Sequence, residues 1–130
     1  MALPQPLAAG VAMLPAGTFD GAVVMVTGGG TGIGKAIAVE FARLEAAVAV
    51  VSRNPHHGVA GVKAVEEAGG KGFATGADVR EPDAVRDAFD AVEEALGPVS
   101  ILINNAAVWL ETENAAQRLP NQTSALSLDL

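Results

Sequence analysis

Along the chain, short runs of consecutive apolar residues alternate with longer stretches in which apolar positions recur every three or four residues. Ala22–Thr27 reads Ala-Val-Val-Met-Val-Thr, a β-branched run of the kind that forms a strand buried on both faces of a parallel sheet. Glycines then crowd positions 28, 29, 30, 32 and 34. Ile33, Ile37, Phe41 and Leu44 fall on one helical face, which predicts an amphipathic helix from about Gly32 to Leu44. Ala47–Val51 is a second buried strand, bounded by Ser52-Arg53-Asn54-Pro55, where the proline forbids simple continuation. Val59, Val62 and Val65 repeat every three residues until Gly69-Gly70, predicting a second helix and then a strand around Gly72–Thr75. Pro82 and Asp83 suit a first helical turn, and Val85, Ala88, Phe89, Val92 and Leu96 continue an apolar stripe that Gly97-Pro98 stops. Val99–Ile103 is the fourth strand, followed by Asn104-Asn105-Ala106-Ala107. From Val108 onward the pattern divides: Leu119, Thr123, Leu126 and Leu130 suit a helix, whereas Leu126, Leu128 and Leu130 alternate as in a strand. A loop and then a helix are expected there.

Regular β-α alternation implies the α/β class: a Rossmann-type doubly wound parallel sheet in three αβα layers, with expected strand order 3-2-1-4 and an end after about strand four. With 130 residues the chain is one domain's worth. Residues 1–18 are apolar and proline-bearing without a basic residue, and read as a flexible leader; residues 19–130 read as the domain.

Composition narrows the classes of function. Half the residues are hydrophobic, mean hydropathy is +0.34 and only 18% are charged, so the chain can bury a core. The 26 Ala beside 15 Gly favour close helix-to-sheet packing. Eight Lys+Arg against fifteen Asp+Glu give a formal charge of −7, a field that repels nucleic acid and anionic membranes. No apolar stretch approaches the roughly 20 residues needed to cross a bilayer. The absence of Cys excludes a disulfide framework, a thiolate nucleophile and a zinc finger, and fits a reducing, cytoplasmic setting. His56 and His57 have no carboxylate or histidine at helical spacing and read as a polar loop pair rather than a metal site.

A glycine cluster directly after a buried strand and opening a helix lets backbone N–H groups approach a pyrophosphate at the helix's positive end. Gly29–Lys35 also spells G-x-x-x-x-G-K, but the next residue is Ala36, whose methyl cannot ligate Mg²⁺ as the Ser or Thr of a triphosphatase loop does. About 20 residues after the glycines, an Asp or Glu at the end of strand two would bond the ribose 2′-hydroxyl of NAD. Here Ser52 and Arg53 stand instead, a hydroxyl and a guanidinium suited to a 2′-phosphate, so NADP(H) is preferred over NAD(H).

Thr27-Gly28-Gly29-Gly30-Thr31-Gly32-Ile33-Gly34 resembles the T-G-x-x-x-G-x-G signature of the short-chain dehydrogenases and reductases. Asp78-Val79 resembles the family's adenine-side Asp, and Asn104-Asn105-Ala106-Ala107 resembles its N-N-A-G with Ala107 in place of glycine. Lys35 after the glycine loop, the N-N-A-A variant and Leu119-Pro120-Asn121 are similar to 2,4-dienoyl-CoA reductases. The resemblance implies NADPH-dependent reduction of an unsaturated acyl-CoA thioester; 3-oxoacyl reductases and sugar or alcohol dehydrogenases share most of the same landmarks. By residue, it implies pyrophosphate and ribose contacts at Gly28, Gly30, Thr31, Ile33 and Gly34. It puts the 2′-phosphate at Ser52 and Arg53, adenine at Asp78 and Val79, and the nicotinamide ribose beside Asn105 and Ala106.

Two departures stand out. Where the family usually carries glycine to close helix one, this chain has Glu45, which predicts a different helix end or a cost of about 1 kcal/mol. The family's catalytic Asn, Ser and Tyr-x-x-x-Lys fall beyond the matched part, and the chain contains no Tyr. A cofactor-binding part that does not turn over alone, incomplete on its C-terminal side, is therefore expected. The alternative is a non-catalytic nucleotide-binding or interaction module, self-associating through an exposed strand-four edge. Trp109 and Leu110 are the candidates for substrate contact in view.

Overall fold

A computed structural model describes residues 5, 8 and 11–107. Its elements run β1 (Val23–Thr27), α1 (Gly32–Arg43), β2 (Ala47–Val51), α2 (Pro55–Glu67), β3 (Lys71–Thr75), α3 (Pro82–Leu96) and β4 (Ile101–Asn104). All pairings are parallel and the order is β3-β2-β1-β4, as the alternation of elements requires. Relative to the sequence expectation β1 starts one residue later, β3 one residue earlier, and β4 begins at Ile101 rather than Val99. Val108–Leu130, with Trp109, Leu110 and the expected loop and helix, lie outside the described residues.

Helices cover both faces of the sheet, so β1 is buried along its whole length. Side chains of alternate strand positions feed two cores, as the period of two demands. Val24, Val26 and Val48 pack with Ala38, Ala42 and Val65 from α1 and α2 on one face. Met25, Ala49 and Val51 pack with Ala88 and Val92 from α3 on the other. The chain steps from β1 to β3 in one direction and returns across the sheet to β4. The strand order therefore reverses between β1 and β4, and a crevice opens at their carboxyl ends.

The two helices on the first face bear out periodicity only in part: Leu44 and Val65 are buried as expected, but the closest contacts are made by other residues. In α1 the buried residues are Gly34, Ala38 and Ala42, whereas Ile33 is 76% exposed and Ile37 and Phe41 only half-buried. In α2 they are Gly58, Gly61 and Val65, and Val59 is exposed. The reason is proximity. A β-carbon on Gly61 would lie 2.9 Å from Val50 Cγ1 and 3.0 Å from the carbonyl oxygen of Gly29, so only small residues fit between helix and sheet.

Phe19 joins the domain to the preceding turns: its ring packs 4.9 Å from that of Phe41, and its N–H donates to the carbonyl of Leu44. Helix α1 closes with Ala46 N–H on Phe41 O and Glu45 N–H on Ala42 O, the paired bonds of a left-handed cap. Glu45 itself holds φ 72°, so the helix ends as a glycine would end it, with a side chain in the glycine's place.

Candidate cofactor site

The site begins with the turn from β1 into α1. Gly28 holds φ 67°, a conformation that glycine adopts without a Cβ penalty, and its N–H donates to the carbonyl of Val51 on the neighbouring strand. Thr31, at the N-cap of α1, makes no side-chain capping bond, and the first turn carries no acidic residue. The first N–H groups of α1 are therefore left without a side-chain acceptor at the positive end of the helix, a setting that favours an anion. Gly34 seats this turn against the sheet, because a β-carbon there would collide with Gly28 O and Asn105 Nδ2.

The far wall is tied to the loop by one hydroxyl. Thr27 Oγ1 donates to Ile103 O at 3.3 Å and accepts from the N–H groups of Asn105 and Ala106, both at 3.1 Å. One donor and two acceptor positions are thus all used. Asn105 Nδ2 adds bonds to the carbonyls of Thr27 and Gly28. In the sequence Thr27 stands as the first residue of the glycine signature but is assigned no contact; a hydroxyl closing an otherwise apolar strand was a further signal.

Between these walls lies a cleft of about 730 Å³. Gly28, Gly30, Thr31, Ile33, Gly34, Ser52, Arg53, Val79, Asn105 and Ala106 all line it, so the structure brings together every nominated residue except Asp78. Asn54 and His57, which sequence reasoning did not nominate, line it too. Ile33, out of place as a core residue, contributes its exposed side chain to this wall.

Asp78, next to Val79 on the cleft wall, pairs with Arg80. Its carboxylate accepts from Arg80 Nε at 2.9 Å, from Arg80 Nη2 and from the Arg80 backbone N–H. The Arg80 side chain, with that backbone N–H next, holds the Asp78 carboxyl well below the usual carboxylate range. On the other side, Ser52 Oγ accepts from Asn54 N–H and Asn54 Oδ1 accepts from His56 N–H, fixing the start of α2. Arg53 is exposed, and among the described residues no carboxylate lies within ion-pair distance of it.

A Gly-lined turn, an uncapped helix N-terminus and a switch-point crevice define a dinucleotide-binding α/β fold, and the cleft suits such a group in size and donor set. The family model described as short chain dehydrogenase matches residues 22–127. A 3beta-hydroxysteroid dehydrogenase of Mediterraneibacter gnavus is 42% identical over 92 residues, 71% of this chain and 33% of that protein. A protein named probable 2,4-dienoyl-CoA reductase decr-1.2 of Caenorhabditis elegans is 43% identical over 93 residues, 70% of this chain and 30% of its own length. Among solved structures, NAD+-bound xylitol dehydrogenase aligns with TM-score 0.68 at 32% identity, covering 70% of this chain and 35% of that one. The chain belongs to the short-chain dehydrogenase family of oxidoreductases and spans about a third of the length of these relatives. Among the described residues no helix is long and apolar enough to cross a membrane.

Proposed function

We propose that these 130 residues are the NADP(H)-binding part of a short-chain dehydrogenase/reductase that transfers hydride to an unsaturated acyl-CoA thioester or an oxo substrate. The observation that carries the cofactor choice is Arg53, a guanidinium on the cleft wall beside Ser52 with no ion pair among the described residues, where a carboxylate would select NAD. The glycine turn and the start of α1 receive the pyrophosphate, Ser52 and Arg53 the 2′-phosphate, and Asp78 and Val79 border adenine. Asn105 and Ala106 border the nicotinamide ribose, the end of the cofactor that supplies the hydride when bound. Through the Thr27 hydroxyl, the chain holds the nicotinamide-side wall at Asn105 and Ala106 against the end of β1, where the glycine turn begins. The acyl-CoA reading is supported by Lys35, by the N-N-A-A stretch and by relatives named as probable 2,4-dienoyl-CoA reductases. The steroid and xylitol dehydrogenases among the similar proteins keep an oxo or alcohol substrate as the second reading.

Fluorescence titration of the chain with NADPH and NADH tests the proposal. Arg53→Ala is expected to weaken NADPH by about tenfold or more, the worth of a charge-assisted hydrogen bond, and NADH far less. Equal weakening of both would remove the 2′-phosphate reading. The family's proton donor is usually a tyrosine and in some reductases a carboxylate, both outside the matched part, and the chain has no Tyr, so no NADPH oxidation by these 130 residues is expected with enoyl or oxoacyl thioesters. Measurable turnover by the purified chain would refute that part.

A further inference from the structure

We propose that His57 is a further, specificity-determining contact to the 2′-phosphate of NADP(H), made from the cleft that Ser52 and Arg53 also line. The inference rests on the NADP(H) reading above and extends it to a residue on another element. His56 and His57 are adjacent on the first turn of α2, yet only His57 lines the cleft. The difference comes from how that turn is held. Asn54 Oδ1 takes the N–H of His56, and Gly58 N–H returns to Asn54 O, which starts the helix in a set orientation. His57 is thereby pressed onto the glycine turn: a β-carbon on Gly30 would lie 2.8 Å from His57 Cβ and overlap its carbonyl group. The root of the imidazole thus stands about one methyl group from the glycine turn, in the cleft whose wall Ser52 and Arg53 share.

The imidazole is exposed and, among the described residues, takes part in no hydrogen bond or ion pair, so its ring N–H is available to a ligand. A phosphate held by Ser52 and Arg53 is bound from the end of β2. An imidazole N–H on the α2 side supplies a charge-assisted donor that a ribose 2′-hydroxyl rewards less, and so adds to the preference for NADPH over NADH.

The test is equilibrium titration of the full chain and its variants with NADPH and NADH, with thermal melts to confirm folding. His57→Ala is expected to weaken NADPH about tenfold while NADH changes less than about twofold, since the β-carbon that packs on Gly30 is kept. His57→Gln, which restores an N–H donor, is expected to recover part of the loss. His56→Ala, on the same turn but off the cleft, is expected to change neither. Equal weakening of both nucleotides by His57→Ala would assign the residue to loop packing and overturn the inference. An Arg53→Ala effect without a His57→Ala effect would overturn it while leaving the NADP(H) reading standing. If neither variant alters the NADPH-to-NADH ratio, or if the chain binds neither nucleotide, the reading and the inference fail together.

Discussion

Glu45 occupies a left-handed backbone position, φ 72°, at the end of α1, while Gly69 closes α2 with the same pair of hydrogen bonds. Two caps of one geometry, one with a side chain and one without, make a direct comparison within the molecule. Glu45→Gly is expected to stabilise the chain by about 1 kcal/mol, read as a rise of a few degrees in Tm. That Glu45 departs from the family's glycine was visible in the sequence. That the left-handed cap is kept was not, because it depends on Ala46 being drawn into the core beneath the sheet.

Asp78 supplies a pH-dependent prediction. Its folded-state pKa lies below the ordinary 3.8, first through the Arg80 side-chain hydrogen bonds, so the stabilisation is present above 3.8 and lost as pH falls through the folded value. Thermal melts of Asp78→Asn should therefore fall below the parent at pH 7, with the gap closing as pH drops below 3.8. A constant gap across that range would place the effect elsewhere. The adenine contact at Asp78 is what the family resemblance implies; its pairing with Arg80 arises from the turn before α3 and has no periodic signal.

Among the elements, α1 and α2 show where hydrophobic periodicity stops being informative. The apolar residues Ile33 and Val59 are exposed, and the sheet is met by Gly34, Ala38, Gly58 and Gly61. At contact this close, small volume decides which residues meet the sheet, and a count of large apolar side chains finds Leu44 and Val65 but not the glycines and alanines beside them. Gly61→Ala is accordingly expected to cost about 1–3 kcal/mol by overpacking, since Val50 and the Gly29–Gly30 backbone leave no room for a methyl. Chemical denaturation should show this as a lower midpoint with an unchanged slope. Helix α3 behaved as its pattern indicated, because it meets the sheet through Ala88 and Val92 on the stripe visible in the sequence.

For the molecule as a whole, β4 is an edge strand among the described residues, and its Leu102 is 43% exposed. The alternative of an interaction module, raised by the sequence, draws on this edge. Concentration-dependent self-association is expected of the chain, and Leu102→Lys, a charge on the edge strand, is expected to suppress it. Sedimentation velocity showing a single monomer at high concentration would set that reading aside.

Element order, parallel pairing and the place of the glycine turn were determined by the sequence alone. Each follows from local demands: β-branched runs that must be buried, glycines that allow a tight turn, prolines and glycines that end helices. Only the tertiary structure decided which residues of α1 and α2 meet the sheet, that the Thr27 hydroxyl clamps a strand end 76 residues away, and that His57 rather than His56 faces the cleft. Those outcomes depend on distances between groups remote along the chain, which folding sets and a one-dimensional pattern does not contain.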